Sequence, residues 1–274
     1  MTNHILTKLE QLGHEGRPGL MAHAIIGYPT LEHTVALGQE LERAGADFLE
    51  LQIPFSEAYA DGPSIRGASE VALKNGTRVR DAFAVANELS QATDMPLLFM
   101  TYFNIVFRYG VEDFCMQAVK AGVSGLIVPD APVEAARHEG LLQACEKTGL
   151  HYVPVLAPTS TDQRIQLNAR AARGLIYCMS RKGITGADVG FDTGLAGYVG
   201  NVRGLSGAPI ALGFGISEPE DVRRAAPLAD VIVVGSAIVD AMGQAAPGKE
   251  VAAAGRLVAS LAAEINPNIR YNEA

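Results

Sequence analysis

Two carboxylates, Glu50 and Asp61, have the setting that acid–base chemistry requires. Glu50 lies in the run 48–53, where Phe48, Glu50 and Gln52 share one face of a strand and three aliphatic side chains share the other. If the aliphatic face packs on helices, Glu50 points inward, where the loss of water raises a carboxyl pKa towards neutrality. Such a group suits a general acid or base. An exposed edge strand is the alternative, which the strongly apolar flanks disfavour.

Asp61 follows eleven residues later, in a loop that ends in Asp61-Gly62-Pro63. A turn residue is the ordinary interpretation of Asp before Gly-Pro, and from that motif alone it would prevail. The short separation from an inward-facing glutamate still makes Asp61 a credible catalytic partner. Tyr102 and Tyr177 stand at the ends of the third and sixth predicted strands and could wall an aromatic pocket. Core packing explains each tyrosine equally well.

Two glycine-rich turns predict a phosphate site. Gly213-Phe214-Gly215 follows the seventh predicted strand, and Gly235-Ser236 follows the eighth. Small residues let backbone N–H groups approach an anion, and a short helix starting after Gly235-Ser236 would direct its positive end at it. Tight turns without a ligand are the alternative. The stretch 180–194, which contains Gly186, predicts either a loop that closes over substrate or an ordinary long connection.

Eight short apolar runs would position these residues as parallel strands covered by helices. The runs are 20–26, 47–53, 96–101, 124–128, 151–157, 174–180, 209–213 and 230–234. Between them, helical spacing gives one buried face, as for Leu37, Leu41 and Ala44. We predict an α/β chain with one (β/α)8 TIM-barrel domain over residues 1–274. Its N-terminal helix would cover about 3–15 and its barrel about 20–265. An open doubly wound sheet stays possible, because periodicity cannot show closure.

Composition disfavours several other classes of protein. The chain has 274 residues, 48% of them apolar, and its net charge of −8 disfavours nucleic-acid binding. The histidines show no HxH or HExxH spacing, so no metal site is expected, and no P-loop motif occurs. Three cysteines lack a paired framework, and neither a signal-peptide pattern nor a bilayer-length apolar run is present. These features predict a cytoplasmic protein.

The motifs together resemble those of tryptophan synthase α chains. The most specific block is the run 49–63, which contains Pro54-Phe55-Ser56-Glu57 and Ala60-Asp61-Gly62-Pro63. Further blocks follow in the family's order and cover essentially the whole chain. They are Tyr102-Phe103-Asn104, Val128-Pro129-Asp130-Ala131-Pro132-Val133, Ser180-Arg181, Thr185-Gly186, Gly213-Phe214-Gly215-Ile216-Ser217 and Gly235-Ser236-Ala237-Ile238-Val239.

This resemblance implies a lyase that cleaves indole-3-glycerol phosphate into indole and glyceraldehyde 3-phosphate by a retro-aldol reaction. Glu50 would protonate indole C3 and take the glycerol hydroxyl proton, while Asp61 would accept a hydrogen bond from the indole N–H. Thr185 would reach Asp61 when the loop after the sixth strand closes. The resemblance assigns the remaining binding roles to Tyr102, Tyr177 and Ile65 for indole, and to Gly186, Phe214, Gly215, Gly235 and Ser236 for phosphate.

The resemblance also implies a β subunit as partner in an α2β2 complex, with pyridoxal phosphate in that partner and no cofactor in this chain. A stand-alone indole-releasing lyase, or a weakly active chain that mainly activates a β subunit, is the alternative. A sugar-phosphate isomerase on the same barrel would explain the glycines alone. The chain departs from the family at His23 and Gln52, where phenylalanine and glycine are usual, and at Glu57-Ala58-Tyr59, where Asp-Pro-Leu is usual. Gln52 should point into the pocket beside Glu50.

Overall fold

The structure is a computed structural model that describes residues 3–179, 193–213, 215–269 and 271. Within these residues all the strands belong to one parallel sheet. They are β1 (Gly19–Ile25), β2 (Phe48–Gln52), β3 (Leu97–Met100), β4 (Val123–Ile127), β5 (His151–Val153), β6 (Val155–Leu156), β7 (Ile176–Met179), β8 (Ile210–Gly213) and β9 (Val231–Val234).

The sheet closes on itself at Pro154. β5 pairs with β4, β6 pairs with β7, and Pro154 alone separates β5 from β6 along the chain. The two short strands are therefore parts of one barrel strand. The predicted (β/α)8 barrel is confirmed, and the alternative of an open doubly wound sheet is excluded. The unbroken strand predicted over 151–157 is wrong, because proline has no N–H to donate to the ladder. The Pro154 carbonyl still accepts from the Tyr177 N–H at 2.9 Å.

Helices cover the outside of the barrel and one of its ends. The described helices are α1 (His4–Glu15), α2 (Leu31–Arg43), α3 (Pro63–Lys74), α4 (Val79–Ala92), α5 (Phe103–Tyr109), α6 (Val111–Lys120), α7 (Val133–His138), α8 (Leu141–Thr148), α9 (Asp162–Ala171), α10 (Thr193–Ser206), α11 (Pro219–Ala225), α12 (Ser236–Gln244) and α13 (Glu250–Ala262). The predicted N-terminal helix is confirmed as α1.

Apolar side chains form one layer on each face of the sheet. Leu49 and Leu51 belong to the outer layer, between the strands and the helices, whereas Met21 and Phe48 belong to the inner layer inside the barrel. Successive strand residues point to opposite faces, so one strand supplies both layers. The inward orientation predicted for Phe48, Glu50 and Gln52 follows from this alternation and is confirmed for Phe48 by its inner-layer contacts.

α1 seals the amino-terminal end of the barrel. Its Ile5 and Leu12 are buried in the inner layer. Asn3 caps the helix by accepting from the Ile5 N–H at 2.9 Å, and its side-chain amide donates to the Ser124 carbonyl at 2.8 Å. A Cβ added at Gly19 would lie 2.7 Å from Leu12, so this glycine lets α1 approach the sheet. With one end closed, ligands have access from the carboxyl ends of the strands.

Glycines with positive φ angles follow two of the helices. Gly45 and Gly122, which come after α2 and α6, have φ angles of 98° and 86°, which glycine adopts without steric cost. The three cysteines are free and buried. None of the helices in the described ranges combines the length and apolar character needed to cross a lipid bilayer.

Candidate active site

The register of β1 and β2 places three polar side chains together inside the barrel. His23 is opposite Glu50, and Gln52 is one pleat further towards the carboxyl end of β2. All three are buried, and all three line one cavity of about 410 Å³. The cavity opens at the carboxyl ends of the strands, where this fold places its chemistry. The prediction that Gln52 points into the pocket beside Glu50 is confirmed.

Glu50 is a buried carboxylate that accepts no hydrogen bond from the part of the chain that the structure describes. Its side chain is 1% exposed, and neither carboxyl oxygen has a hydrogen-bond partner among the described residues. The closest cationic candidate is His23, whose Nδ1 lies 3.4 Å from Glu50 Oε1. That distance suits an ion pair, although the pair lacks hydrogen-bond geometry. A buried carboxyl with unused lone pairs on a cavity wall is well suited to exchange a proton with a ligand.

The charge of Glu50 also affects His23. Burial lowers the pKa of the His23 imidazole, but the neighbouring Glu50 carboxylate and the more distant Asp61 raise it, and the net effect is a raised pKa. The second ring nitrogen, Nε2, is buried and has no hydrogen-bond partner among the described residues. The Glu50 carboxylate thus favours the protonated form of His23.

Asp61 enters the same cavity from the loop between β2 and α3. Its backbone N–H donates to the Ala58 carbonyl at 3.1 Å, so the chain does turn here. The side chain, however, accepts from Gln52 Nε2 at 2.6 Å and from the Tyr102 hydroxyl at 3.1 Å, both at Oδ2. Gly62 is the N-cap of α3 and Pro63 its first residue, so the turn chemistry belongs to Gly62-Pro63. The carboxylate itself belongs to the cavity.

The electrostatic setting of Asp61 combines opposing influences. Burial raises the pKa of the carboxyl, and the hydrogen bond from Gln52, the charge of His23 and the hydrogen bond from Tyr102 oppose that increase. The net pKa is raised. Tyr102 is fully buried and lies outside the cavity lining, so it supports Asp61 from behind. Its hydroxyl also accepts from the Ala60 N–H at 3.1 Å, which fixes the loop against β3.

Apolar and aromatic side chains complete the cavity wall. Tyr177 and Ile65, both predicted pocket residues, line it. Burial and the nearby Glu50 and Asp61 carboxylates raise the pKa of Tyr177 well above its usual value, so its hydroxyl keeps its proton. A Cβ at Gly213 would lie 2.7 Å from that hydroxyl, and the glycine therefore makes room for it. The remaining aliphatic and Met positions of the wall are Met100, Ile127, Val155, Met179 and Val233.

The glycine turns after β8 and β9 reach the same cavity. Gly215, Gly235 and Ser236 line it, as the phosphate prediction requires. α12 begins at Ser236 with Gly235 as its N-cap, so the unpaired N–H groups and the positive end of this helix are directed at the cavity. Gly215 has a φ angle of 66°, a conformation that other residues rarely adopt.

Several predicted site residues cannot be placed relative to this cavity. Thr185, Gly186 and Phe214 lie outside the described residues, as does the greater part of the loop 180–194. Sequence reasoning did not identify the cavity roles of Tyr59, Met100 or Val155. The period-two alternation that placed Glu50 inward could have located Met100, whereas Tyr59 depends on the path of a loop.

The described residues contain no group of three or more His, Cys, Asp and Glu side chains arranged to hold a metal ion.

A closed parallel barrel with two carboxylates, an imidazole and a helix amino terminus at its open end defines a (β/α)8-barrel enzyme. Comparison with known proteins narrows this class. The profile of the family "Tryptophan synthase alpha chain" matches residues 9–266. The chain belongs to the tryptophan synthase alpha chain family.

Individual relatives agree with this assignment. The tryptophan synthase alpha chain of Desulforapulum autotrophicum is 38% identical, covering 89% of this chain and 94% of its own. That of Syntrophotalea carbinolica is 43% identical, covering 79% and 85%. The crystal structure of tryptophan synthase subunit alpha from Legionella pneumophila superposes with a TM-score of 0.89 at 30% identity, covering 97% of this chain and 100% of that one. The family and enzyme class predicted from the motifs are confirmed.

Proposed function

We propose that this chain cleaves indole-3-glycerol phosphate to indole and glyceraldehyde 3-phosphate, the α reaction of tryptophan biosynthesis. One observation carries the proposal. Glu50, buried and without a hydrogen bond among the described residues, lines the same cavity as Asp61 and the amino terminus of α12. At about 410 Å³ the cavity is within the range of small-molecule sites. Family membership supports the same reaction.

Glu50 would move the proton that the cleavage requires. The protonated carboxyl donates to indole C3, which gives an indolenine cation and makes the C3–glycerol bond labile. The carboxylate then takes the proton from the hydroxyl on the adjacent carbon as the bond breaks, and the bonding electrons return to the indole ring. Glu50 ends the cycle protonated, so the proton balance closes. Positioned proton transfer of this kind contributes about 10²–10⁴-fold to rate.

Asp61 would stabilise the cation that forms in between. Among the described residues both of its hydrogen bonds use Oδ2, which leaves Oδ1 as an acceptor for the indole N–H. A buried carboxylate held by two donors is preorganised to interact with developing positive charge. Ile65 and Tyr177 would pack against the ring, and Thr185 would reach Asp61 from the loop after β7.

The phosphate would bind at the turns after β8 and β9. Backbone N–H groups near Gly215, Gly235 and Ser236 would hold it at the positive end of α12, with Gly186 and Phe214 as further contacts. A ligand anchored there extends towards Glu50, because both groups belong to one cavity. The proposed catalysis by side chains alone needs no cofactor in this chain.

A β subunit carrying pyridoxal phosphate, in an α2β2 complex, is the proposed partner. An exposed aromatic surface near the barrel mouth, defined by Tyr59 and Phe107, supports this proposal; the two side chains are 56% and 58% exposed. They are connected through Asp130, which accepts from the Tyr59 hydroxyl at 3.4 Å and from the Phe103 N–H at 2.8 Å. The Phe103 ring in turn contacts the Phe107 ring in a tilted arrangement, with centroids 6.1 Å apart. Exposed aromatics are frequent interface anchors.

A cytoplasmic location is proposed too, and the three free cysteines support it.

The decisive test compares the purified chain with Glu50→Gln and with Glu88→Gln, which changes an exposed glutamate on α4 in the same way. Each is incubated with indole-3-glycerol phosphate, with and without a β subunit, and indole is measured. We expect Glu50→Gln to lower turnover by about 10²–10⁴-fold while calorimetry shows little change in phosphate-ligand binding. Glu88→Gln should behave as the original chain. Absence of indole in both conditions, or full turnover by Glu50→Gln, would overturn the proposal.

A further inference from the structure

We propose, resting on the function above, that His23 is a positioning residue for Glu50 and that the two side chains share one proton, which is the proton delivered to the substrate. His23 comes from β1 and Glu50 from β2, and the strand register makes them direct neighbours inside the barrel. The pair therefore depends on rigid sheet geometry and on no loop. Its Nδ1–Oε1 distance is 3.4 Å.

The burial of Glu50 favours such a partner in this chain. The carboxyl is almost completely removed from water and accepts no hydrogen bond from the described residues. An isolated buried carboxylate is strongly unfavourable, and such groups are either neutralised by a proton or paired with a cation. Among the described residues that line the cavity, His23 is the one side chain able to carry positive charge. It can therefore supply either the cation or the proton.

One shared proton both neutralises the charge of the buried pair and supplies the proton that the cleavage needs. With the proton on His23 the pair is an imidazolium and a carboxylate, and with the proton on Glu50 both groups are neutral. The proton passes from Nδ1 to Oε1 when these two atoms, 3.4 Å apart, close to hydrogen-bond distance, and it then passes from Glu50 to indole C3. Glu50 then takes the substrate hydroxyl proton, which can return to Nδ1. The pair begins and ends with one proton, so each cycle balances, and its titration belongs to the pair as a unit.

The other groups that face the pair either favour the protonated form of His23 or carry no charge. Asp61 approaches from the β2–α3 loop and adds negative charge, Tyr177 on β7 stays protonated, and Tyr102 contacts Asp61. From the β9 side, an added Cβ at Gly235 would approach the His23 ring at 3.7 Å, and the described β9 residues Val231–Val234 are all uncharged. Burial lowers the pKa of His23, whereas the carboxylates of Glu50 and Asp61 raise it. The net effect is a raised pKa of His23. The shared proton is thus retained to a higher pH than an isolated histidine would allow.

The test measures the pH dependence of kcat/KM for His23→Asn and His23→Phe, with His14→Asn as the matched control on the exposed face of α1. The Asn amide occupies the place of Nδ1 and can donate to Glu50 but cannot titrate. We expect the alkaline limb of the His23→Asn profile to move about one pH unit or more towards acid, with KM nearly unchanged. His23→Phe, which introduces the residue usual in the family, should keep turnover at acid pH and lose it at a lower pH than the original chain, because Phe holds no proton for the pair. A His23→Asn profile that coincides with the original overturns the proposal.

A measurement without turnover covers the case in which the variants misfold. Nitrogen NMR follows the His23 ring through a pH titration in the original chain and in Glu50→Gln, with His14 as internal reference. We expect His23 to titrate at a higher pH in the original chain than in Glu50→Gln, since the carboxylate that raises its pKa is gone. Identical His23 titrations would refute the pair. If the chain releases no indole, the proposed function fails while this titration still decides the pairing.

Discussion

Replacing Gln52 by Met tests how the site controls the charge of Asp61. Met has a similar length but no donor, so the 2.6 Å hydrogen bond from Gln52 Nε2 to Asp61 Oδ2 is lost while the cavity stays filled. A hydrogen bond to a charged group contributes about 1.5–3 kcal/mol. If this whole free energy is lost from the stabilisation of the transition state, kcat/KM falls by about 10- to 150-fold.

The sign of the pH effect makes this prediction specific. Among the opposing influences on the raised pKa of Asp61, the Gln52 hydrogen bond is the largest that lowers it, so its removal raises that pKa further. Asp61 accepts the indole N–H as an anion, and the anion is lost as pH falls through its pKa. The acid limb of kcat/KM should therefore move to higher pH in Gln52→Met, and the defect should shrink as pH rises.

The assay is a pH series of indole release by the chain, Gln52→Met and Gln166→Met, the last being a matched change at an exposed site on α9. Thermal melts monitor folding in parallel. A Gln52→Met acid limb that coincides with the original, at full kcat/KM, would show that this hydrogen bond does not control Asp61. A uniform loss at every pH would show a change of pocket shape instead.

Two other changes address the phosphate end and the outer surface. Gly215→Ala forces an alanine into a φ of 66°, a strain of about 1–2 kcal/mol, and should weaken binding of inorganic phosphate in calorimetry. Gly67→Ala on α3, where an added Cβ meets no atom within 4 Å, should not weaken it. Phe107→Ala should leave the melting temperature nearly unchanged but weaken binding to a β subunit more than fivefold, about 1 kcal/mol. Met116→Ala, at a similarly exposed site on α6, should bind normally, and equal affinities for both variants would exclude the aromatic surface as the contact.

The parts of the fold that depend on local periodicity could be predicted from the sequence. Period-two alternation placed Glu50 inward because Phe48 on the same face is apolar and Leu49 on the other packs on helices. Closure could not be predicted in this way, because it depends on which strands become neighbours at the two sides of Pro154. The missing N–H of that proline was visible in the sequence and predicts the interruption of the strand.

Contacts between distant segments explain what the sequence could not supply for the site. The motif around Asp61 favoured a turn residue, and the backbone does turn there, but its carboxylate is held by Gln52 on β2 and by Tyr102, the N-cap of α5. Tyr102 was equally compatible with a pocket and with the core, and its contact with Asp61 depends on the path of the β2–α3 loop. His23 follows the same alternation as Glu50, yet only the β1–β2 register places it beside that carboxylate.

The order of side chains along the inner strand face explains why the chemistry lies at one end. On β1 the inner positions run from Met21 to His23, and on β2 they run from Phe48 through Glu50 to Gln52. The lower positions are apolar and closed from below by α1, so they supply packing and a fixed register. Polar groups placed there would be buried without partners, a strongly unfavourable state. At the upper positions polar side chains can pair across strands and reach a ligand. The same alternation that builds the core therefore also places Glu50, its imidazole partner His23, and Gln52, which holds Asp61, in the cavity.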